Sequence, residues 1–150
     1  MPSSHSCLFC SIAEKTIPAT IVYETDTLVA FLDIRPIRPG HVLIIPRQHF
    51  DYFDDLPAPL AAEIVQLGQK LAKIMKAHYG VERVAFLFTG TDISHAHAHV
   101  VPMHTKADIT SPAYISEQRL TIGPAAQVSP EALNEAATAL RVALQQQASQ

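Results

Sequence analysis

Apolar positions along the chain fall into short runs, then one long stripe, then short runs again. Residues 19–25 (ATIVYET) and 28–34 (LVAFLDI) are rich in β-branched and aromatic side chains. They flank a polar break at Asp26-Thr27, which predicts a hairpin. The stretch RPIRPG carries two prolines and a glycine and cannot propagate a regular element. Residues 41–46 (HVLIIP) form a third predicted strand, apolar on both faces and so expected at the centre of a sheet.

From Leu60 the pattern changes. Apolar residues recur at Ile64, Leu67, Leu71, Ile74 or Met75, and on to His78, a spacing near 3.6 that predicts a long helix. Its lead-in, residues 54–59, is polar and broken by proline, and Gly80 stands where a left-handed residue would end it. Residues 83–90 (RVAFLFTG) and 95–103 (HAHAHVVPM) predict a fourth and a fifth strand. Residues 105–128 have no clear period and read mostly as loop. Ser129-Pro130-Glu131 then predicts a helix start, with a capping serine, proline at the first helical position and an early acid. An alanine-rich helix with Leu133, Leu140 and Leu144 follows, to about residue 147. The expectation is a single α+β domain over residues 1–150, with a five-stranded antiparallel sheet, a long helix after the third strand and a C-terminal helix.

Composition narrows the function. The chain has 150 residues, 48% of them hydrophobic and 17% charged, enough for a globular core. A net charge of −3 gives no basic footprint for nucleic acid. Lys70, Lys73 and Lys76 fall at helical spacing near a helix end and read as a solvated face. No apolar run approaches the roughly 18 residues of a membrane span, and MPSSHSCLFCS lacks the basic and apolar regions of an export signal. A cytoplasmic location is expected. There, Cys7 and Cys10 would be reduced, metal-binding or redox-active rather than a structural disulfide.

The chemistry concentrates in SHAHAHVVPMH, residues 94–104. Strand side chains at i, i+2 and i+4 share a face, so His95, His97 and His99 line up while Ala96, Ala98 and Val100 pack on the other side. A solvent-facing polar row would not require histidine three times over. Two uses fit: three imidazoles around a catalytic zinc, or one imidazole as nucleophile with neighbours that orient it and hold an anion.

The ordered motifs C-x-F-C, I-P, V-Y-E, A-F-L-D-I, P-G-H-V-L-I-I-P, R-x-H and H-x-H-x-H-V-V run from Cys7 to about Met103. Taken together they make the chain resemble the histidine triad (HIT) superfamily of nucleotide hydrolases and transferases. That resemblance implies the second use. His97 would attack the α-phosphorus of a nucleotide, His99 would contact the phosphoryl oxygens, and His41 would support the triad through hydrogen bonds. It also implies that Asp33 accepts ribose hydroxyls and that Phe31 and Ile34 wall the base pocket. In bacterial members with an N-terminal C-x-x-C, a structural zinc is held by residues matching Cys7, Cys10, His49 and His95. An AMP-containing substrate, a dinucleoside polyphosphate or nucleoside phosphoramidate, and a homodimer are further implications.

One segment departs from the family pattern. Gly90 is kept, but Thr91 stands in the place of glutamine and Asp92 in that of a hydroxyl residue, both expected near the phosphate. An ionised Asp92 facing a phosphate would be repelled, so it must point away, pair with a cation or be protonated, or else the substrate differs. Thr89 or Thr91 could supply a hydroxyl. Two other functions fit these residues: a nucleotide-binding module without turnover, and a hydrolase holding its metal with His95, His97 and His99.

Overall fold

Five strands form one antiparallel sheet in the order β1-β2-β3-β5-β4. The computed structural model describes residues 7–90, 93–110 and 129–148. The strands are β1 (Ile21–Glu24), β2 (Leu28–Leu32), β3 (Val42–Pro46), β4 (Arg83–Leu87) and β5 (Ala98–Met103), and the helices are α1 (Leu8–Ala13), α2 (Ala58–Tyr79) and α3 (Pro130–Ala148). Every residue of β3 is buried, as its unbroken apolar run implies, and β3 lies at the centre of the sheet.

The period-2 alternation of the strands sends side chains to two apolar layers. On one face, Ile64, Leu67 and Met75 of α2 pack on Leu28, Ala30, Val42, Ile44, Ala98 and Val100. On the other, Phe9, Ile12 and Ala13 of α1 pack on Val29, Phe31, Leu43 and Ile45. Ile44, Ile45 and Ile64 are fully buried; each contributes about 1.5–3 kcal/mol of apolar burial.

The long helix follows its stripe with two adjustments. Met75, not Ile74, turns inward, and His78 is exposed while the next residue, Tyr79, packs on the core. Gly80 ends the helix at φ 65°, its N–H donating to the Lys76 carbonyl. Gly68 sits where a Cβ would run into the Phe86 ring, so a glycine lets α2 lie close on β4. Lys70, Lys73 and Lys76 face solvent.

Two boundaries differ from the sequence reading. α1 is a regular element that the sequence pattern did not indicate, six residues long and opened by Cys7, whose Sγ accepts from the Cys10 N–H at 3.5 Å. The fifth strand begins at Ala98 rather than His95. Upstream, the His95 N–H turns back to the Ile93 carbonyl at 2.8 Å and the Ala96 N–H pairs with Phe50 O at 2.7 Å, so neither bonds to β3. α3 lies in a second compact unit, residues 117–150. Ser129 caps it, its Oγ accepting from the Ala132 N–H at 3.2 Å.

Candidate active site and metal centre

The α1 face of the sheet carries all the candidate histidines. His95 is 0% exposed, His97 4% and His41 3%, which rules out a solvent-facing row. The Phe9 ring of α1 stands edge-on to both His95 and His97, with centroids 5.9 and 5.0 Å away. His97 and His99 are also edge-on neighbours, at 5.0 Å. The three imidazoles share a side of the sheet but point to different partners.

His97 Nδ1 lies 2.8 Å from the His95 carbonyl oxygen. A carbonyl only accepts, so Nδ1 carries the proton and Nε2 keeps its lone pair. His99 is set differently. The Ile37 N–H donates to His41 Nδ1 at 3.1 Å, so the His41 proton is on Nε2, 3.0 Å from His99 Nδ1. That bond makes His99 Nδ1 the acceptor and leaves an N–H on its Nε2, which faces Thr89 Oγ1 at 3.4 Å. His97 thus offers a lone pair and His99 an N–H. Burial holds the His41 imidazole below the ordinary histidine value, opposed by the nearby Asp33 carboxylate, and keeps that ring neutral at pH 7.

Asp33, at the end of β2, accepts from the Arg35 N–H at 2.8 Å and has its other oxygen 3.8 Å from His41 Nε2. It borders a cleft of about 260 Å³ that also meets Phe31, Ile34, Leu43, His97 and His99. Phe31 is both core and cleft wall: it is buried and stacks edge-on with Phe9 at 5.6 Å. Ile34 is 93% exposed, a lip of the cleft rather than a packed wall. Thr91 and Asp92 lie outside the described residues.

A second cavity of about 200 Å³ opens on the other side of His97, lined by Tyr52, Phe53, Phe88, Thr89 and the acids Asp51 and Asp54. Sequence reasoning missed it. Its signal is the run of aromatics and acids in FDYFDD, residues 50–55, directly after His49, of which the sequence reading takes only Asp54 and Asp55, as part of the lead-in to a helix.

Cys7, Cys10, His49 and His95 form a separate cluster whose ligand atoms all lie within 4.8 Å of one another. Cys7 Sγ to His95 Nδ1 is 3.4 Å, Cys10 Sγ to His49 Nδ1 3.3 Å, and Cys10 Sγ to His95 Nδ1 3.5 Å. A tetrahedral zinc with usual Zn–S and Zn–N lengths spaces its ligand atoms roughly 3.5 Å apart, so the donor set fits that ion. Each imidazole is also oriented from behind: His95 Nε2 donates to Pro46 O at 2.9 Å, and His49 Nε2 is 2.8 Å from Asp51 Oδ1. Both bonds turn Nδ1 toward the cluster, as metal-ligating histidines require. Burial, followed by the neighbouring Cys7, pushes the Cys10 thiol up to about 11, and burial pushes His95 down to about 4. A cation among these groups would favour thiolate sulfur and neutral imidazole, the ligating forms. Among the described residues no metal-competent group contains His95, His97 and His99 together.

Known proteins resemble this chain in sequence and in fold. An adenosine 5'-monophosphoramidase of Saccharomyces cerevisiae, HNT1, is 35% identical over 98 residues, 65% of this chain and 62% of that protein. The crystal structure of a Zn-bound histidine triad family protein from Mycobacterium smegmatis matches with a TM-score of 0.65 at 30% identity, over 69% of this chain and 79% of that one. A HIT family protein from Bacillus anthracis matches with a TM-score of 0.76 at 26% identity, over 92% of this chain and 96% of that one. Residues 14–106 match the family described as HIT domain, and with more than half of its length covered the chain belongs to that family.

Proposed function

We propose that the protein is a nucleoside phosphoramidate or phosphoanhydride hydrolase that works through a covalent nucleotidyl-His97 intermediate. The observation that carries this reading is the 2.8 Å approach of His97 Nδ1 to the His95 carbonyl, which leaves Nε2 as a free nucleophile. The Nε2 lone pair attacks the α-phosphorus and an N–P bond forms. The bond from phosphorus to the leaving nitrogen or oxygen breaks, and the leaving group departs with the electron pair and gains a proton. Water then attacks the phosphorus, the N–P bond breaks back to Nε2, and nucleoside monophosphate is released. The N–H of His99 Nε2 stabilises charge on the phosphoryl oxygens during both displacements.

In this reading the nucleoside occupies the cleft beside Asp33 and Phe31, and the leaving group lies toward the cavity at Phe53 and Phe88. The yeast relative's name, adenosine 5'-monophosphoramidase, supports adenosine as the nucleoside and a phosphoramidate as the substrate class. Cys7, Cys10, His49 and His95 hold a structural zinc. With four protein ligands the ion has no open position and supplies stability, not chemistry. The dispersal of His95, His97 and His99 to three different partners argues against a metal held by all three.

The test is monophosphate release from adenosine phosphoramidates and dinucleoside polyphosphates by wild type and His97→Ala. Turnover that disappears in the variant supports the reading. Equal turnover in both would overturn it.

A further inference from the structure

Outside the catalytic cleft, the most heavily bonded buried charge among the described residues is Asp108. It is 1% exposed and follows β5 in a segment whose sequence has no pattern. Its Oδ1 accepts from Arg38 Nη2 at 2.9 Å and from Thr105 Oγ1 at 2.6 Å. Its Oδ2 accepts from Arg38 Nε at 3.1 Å and from the N–H groups of His104 at 2.7 Å and Thr105 at 3.1 Å. A two-pronged guanidinium contact of this kind fixes orientation as well as position.

Arg38 belongs to the RPIRPG loop, where Pro36 and Pro39 have no N–H to give. The loop makes few backbone bonds of its own: the Arg35 N–H is held by Asp33 Oδ1, and two others converge on His41. The His41 N–H donates to the Arg38 carbonyl at 3.0 Å, and the Ile37 N–H donates to His41 Nδ1. The second bond decides the tautomer of His41 and, through it, that of His99. If the Ile37 N–H moved away, the proton on His41 could shift to Nδ1. His41 Nε2 would then accept from His99, and His99 would turn a lone pair toward the phosphate instead of an N–H. Asp33, 3.8 Å from His41 Nε2, is too distant for a hydrogen bond that would hold the proton there by itself.

We propose that Asp108, acting through Arg38, is a positioning residue that clamps the 35–40 loop and so fixes the hydrogen-bond polarity of the His41–His99 pair. The inference rests on the reading that His99 presents an N–H to the phosphate. Asp108 touches no reacting atom and lies 70 residues from its partner in sequence.

The experiment pairs imidazole ¹⁵N spectra with steady-state kinetics for wild type, Arg38→Lys, which keeps the charge but loses the fork, and Thr105→Val, a milder cut at the same carboxylate. In wild type, His41 gives the Nε2–H tautomer. In Arg38→Lys the two His41 nitrogens become mixed, and kcat falls roughly tenfold to a hundredfold while KM changes less than about twofold; Thr105→Val shifts both in the same direction by less. An unchanged His41 tautomer in Arg38→Lys overturns the clamp whatever happens to kcat. A mixed tautomer with unchanged kcat overturns its role in positioning. The spectra need no turnover, so they test the clamp even if His97 proves not to be a nucleophile.

Discussion

The carbonyl oxygen of His95 is 2.8 Å from Nδ1 of His97, while the ring of His95 points its own Nδ1 at Cys7 and Cys10. One residue therefore belongs to two sites: its side chain to the candidate metal cluster, its backbone to the candidate nucleophile. Short α1 reinforces this link, because it supplies Cys10 to the cluster and Phe9 to the ring faces of His95 and His97.

If the cluster holds the proposed zinc, stripping it should cost stability first and activity as a consequence. Loss of a tightly held ion removes about 4 kcal/mol, which lowers the unfolding midpoint of a chain this size by roughly 10 °C. Calorimetry with and without chelator, alongside metal analysis of Cys10→Ser, checks this. Activity that vanishes with no change in midpoint would indicate a catalytic ion instead.

Acid should weaken the protein through His41. Its folded value is held below the ordinary 6.5 by burial, so the unfolded chain takes up that proton first. The stability tied to neutral His41 is complete above about pH 6.5 and is lost as pH falls through the folded value. His99 and Asp33 face the ring, and the Asp33 carboxylate works against the shift. Unfolding midpoints of the metal-bound protein between pH 7.5 and 5 should fall more steeply for wild type than for His41→Asn. Parallel slopes would contradict this.

Two glycines make a paired test of the loop before His41. Gly40 has φ 92° and Gly80 has φ 65°, but only Gly40 is crowded: a Cβ there would sit 2.6 Å from Cε2 and Cζ of Tyr79. Gly80→Ala should cost about 1 kcal/mol of backbone strain. Gly40→Ala should cost roughly 2–4 kcal/mol, adding displacement of Tyr79 to that strain. Denaturant titrations of the two variants compare them directly, and equal losses would mean that Tyr79 yields freely.

Asp33→Asn should raise KM for an adenosine phosphoramidate roughly tenfold to a hundredfold, since a charged acceptor at a ribose hydroxyl is worth roughly 1.5–3 kcal/mol. The same variant should lose much less against a 2′,3′-dideoxy analogue, which has no hydroxyl there to donate. Equal losses on both substrates would place Asp33 elsewhere in the mechanism.

Much of this was legible in the sequence because the signals were local. Unbroken VLII marks a buried central strand, and the stripe ending at Gly80 marks α2. The alternation of histidine with alanine correctly placed the imidazoles on one face, even though the regular ladder starts only at Ala98. What the sequence hid depends on distant partners. α1 has six residues, too few for a 3.6-residue period to stand out, and Cys7 and Cys10 drew attention as ligands rather than as part of a helix. Asp108 carries no pattern at all, and its meaning comes entirely from Arg38. The exposure of Ile34 followed from its place just past the last ladder pair of β2, Leu32 with Val42.

The most direct measurement is a search for the nucleotide on the protein. Enzyme mixed with an adenosine phosphoramidate is quenched in alkali, where an N–P bond to imidazole survives, and its peptides are mapped by mass spectrometry. The expected result is one AMP on the peptide containing His97, absent from His97→Ala. Turnover with no adduct at early times, or an adduct on another residue, would contradict nucleophilic His97.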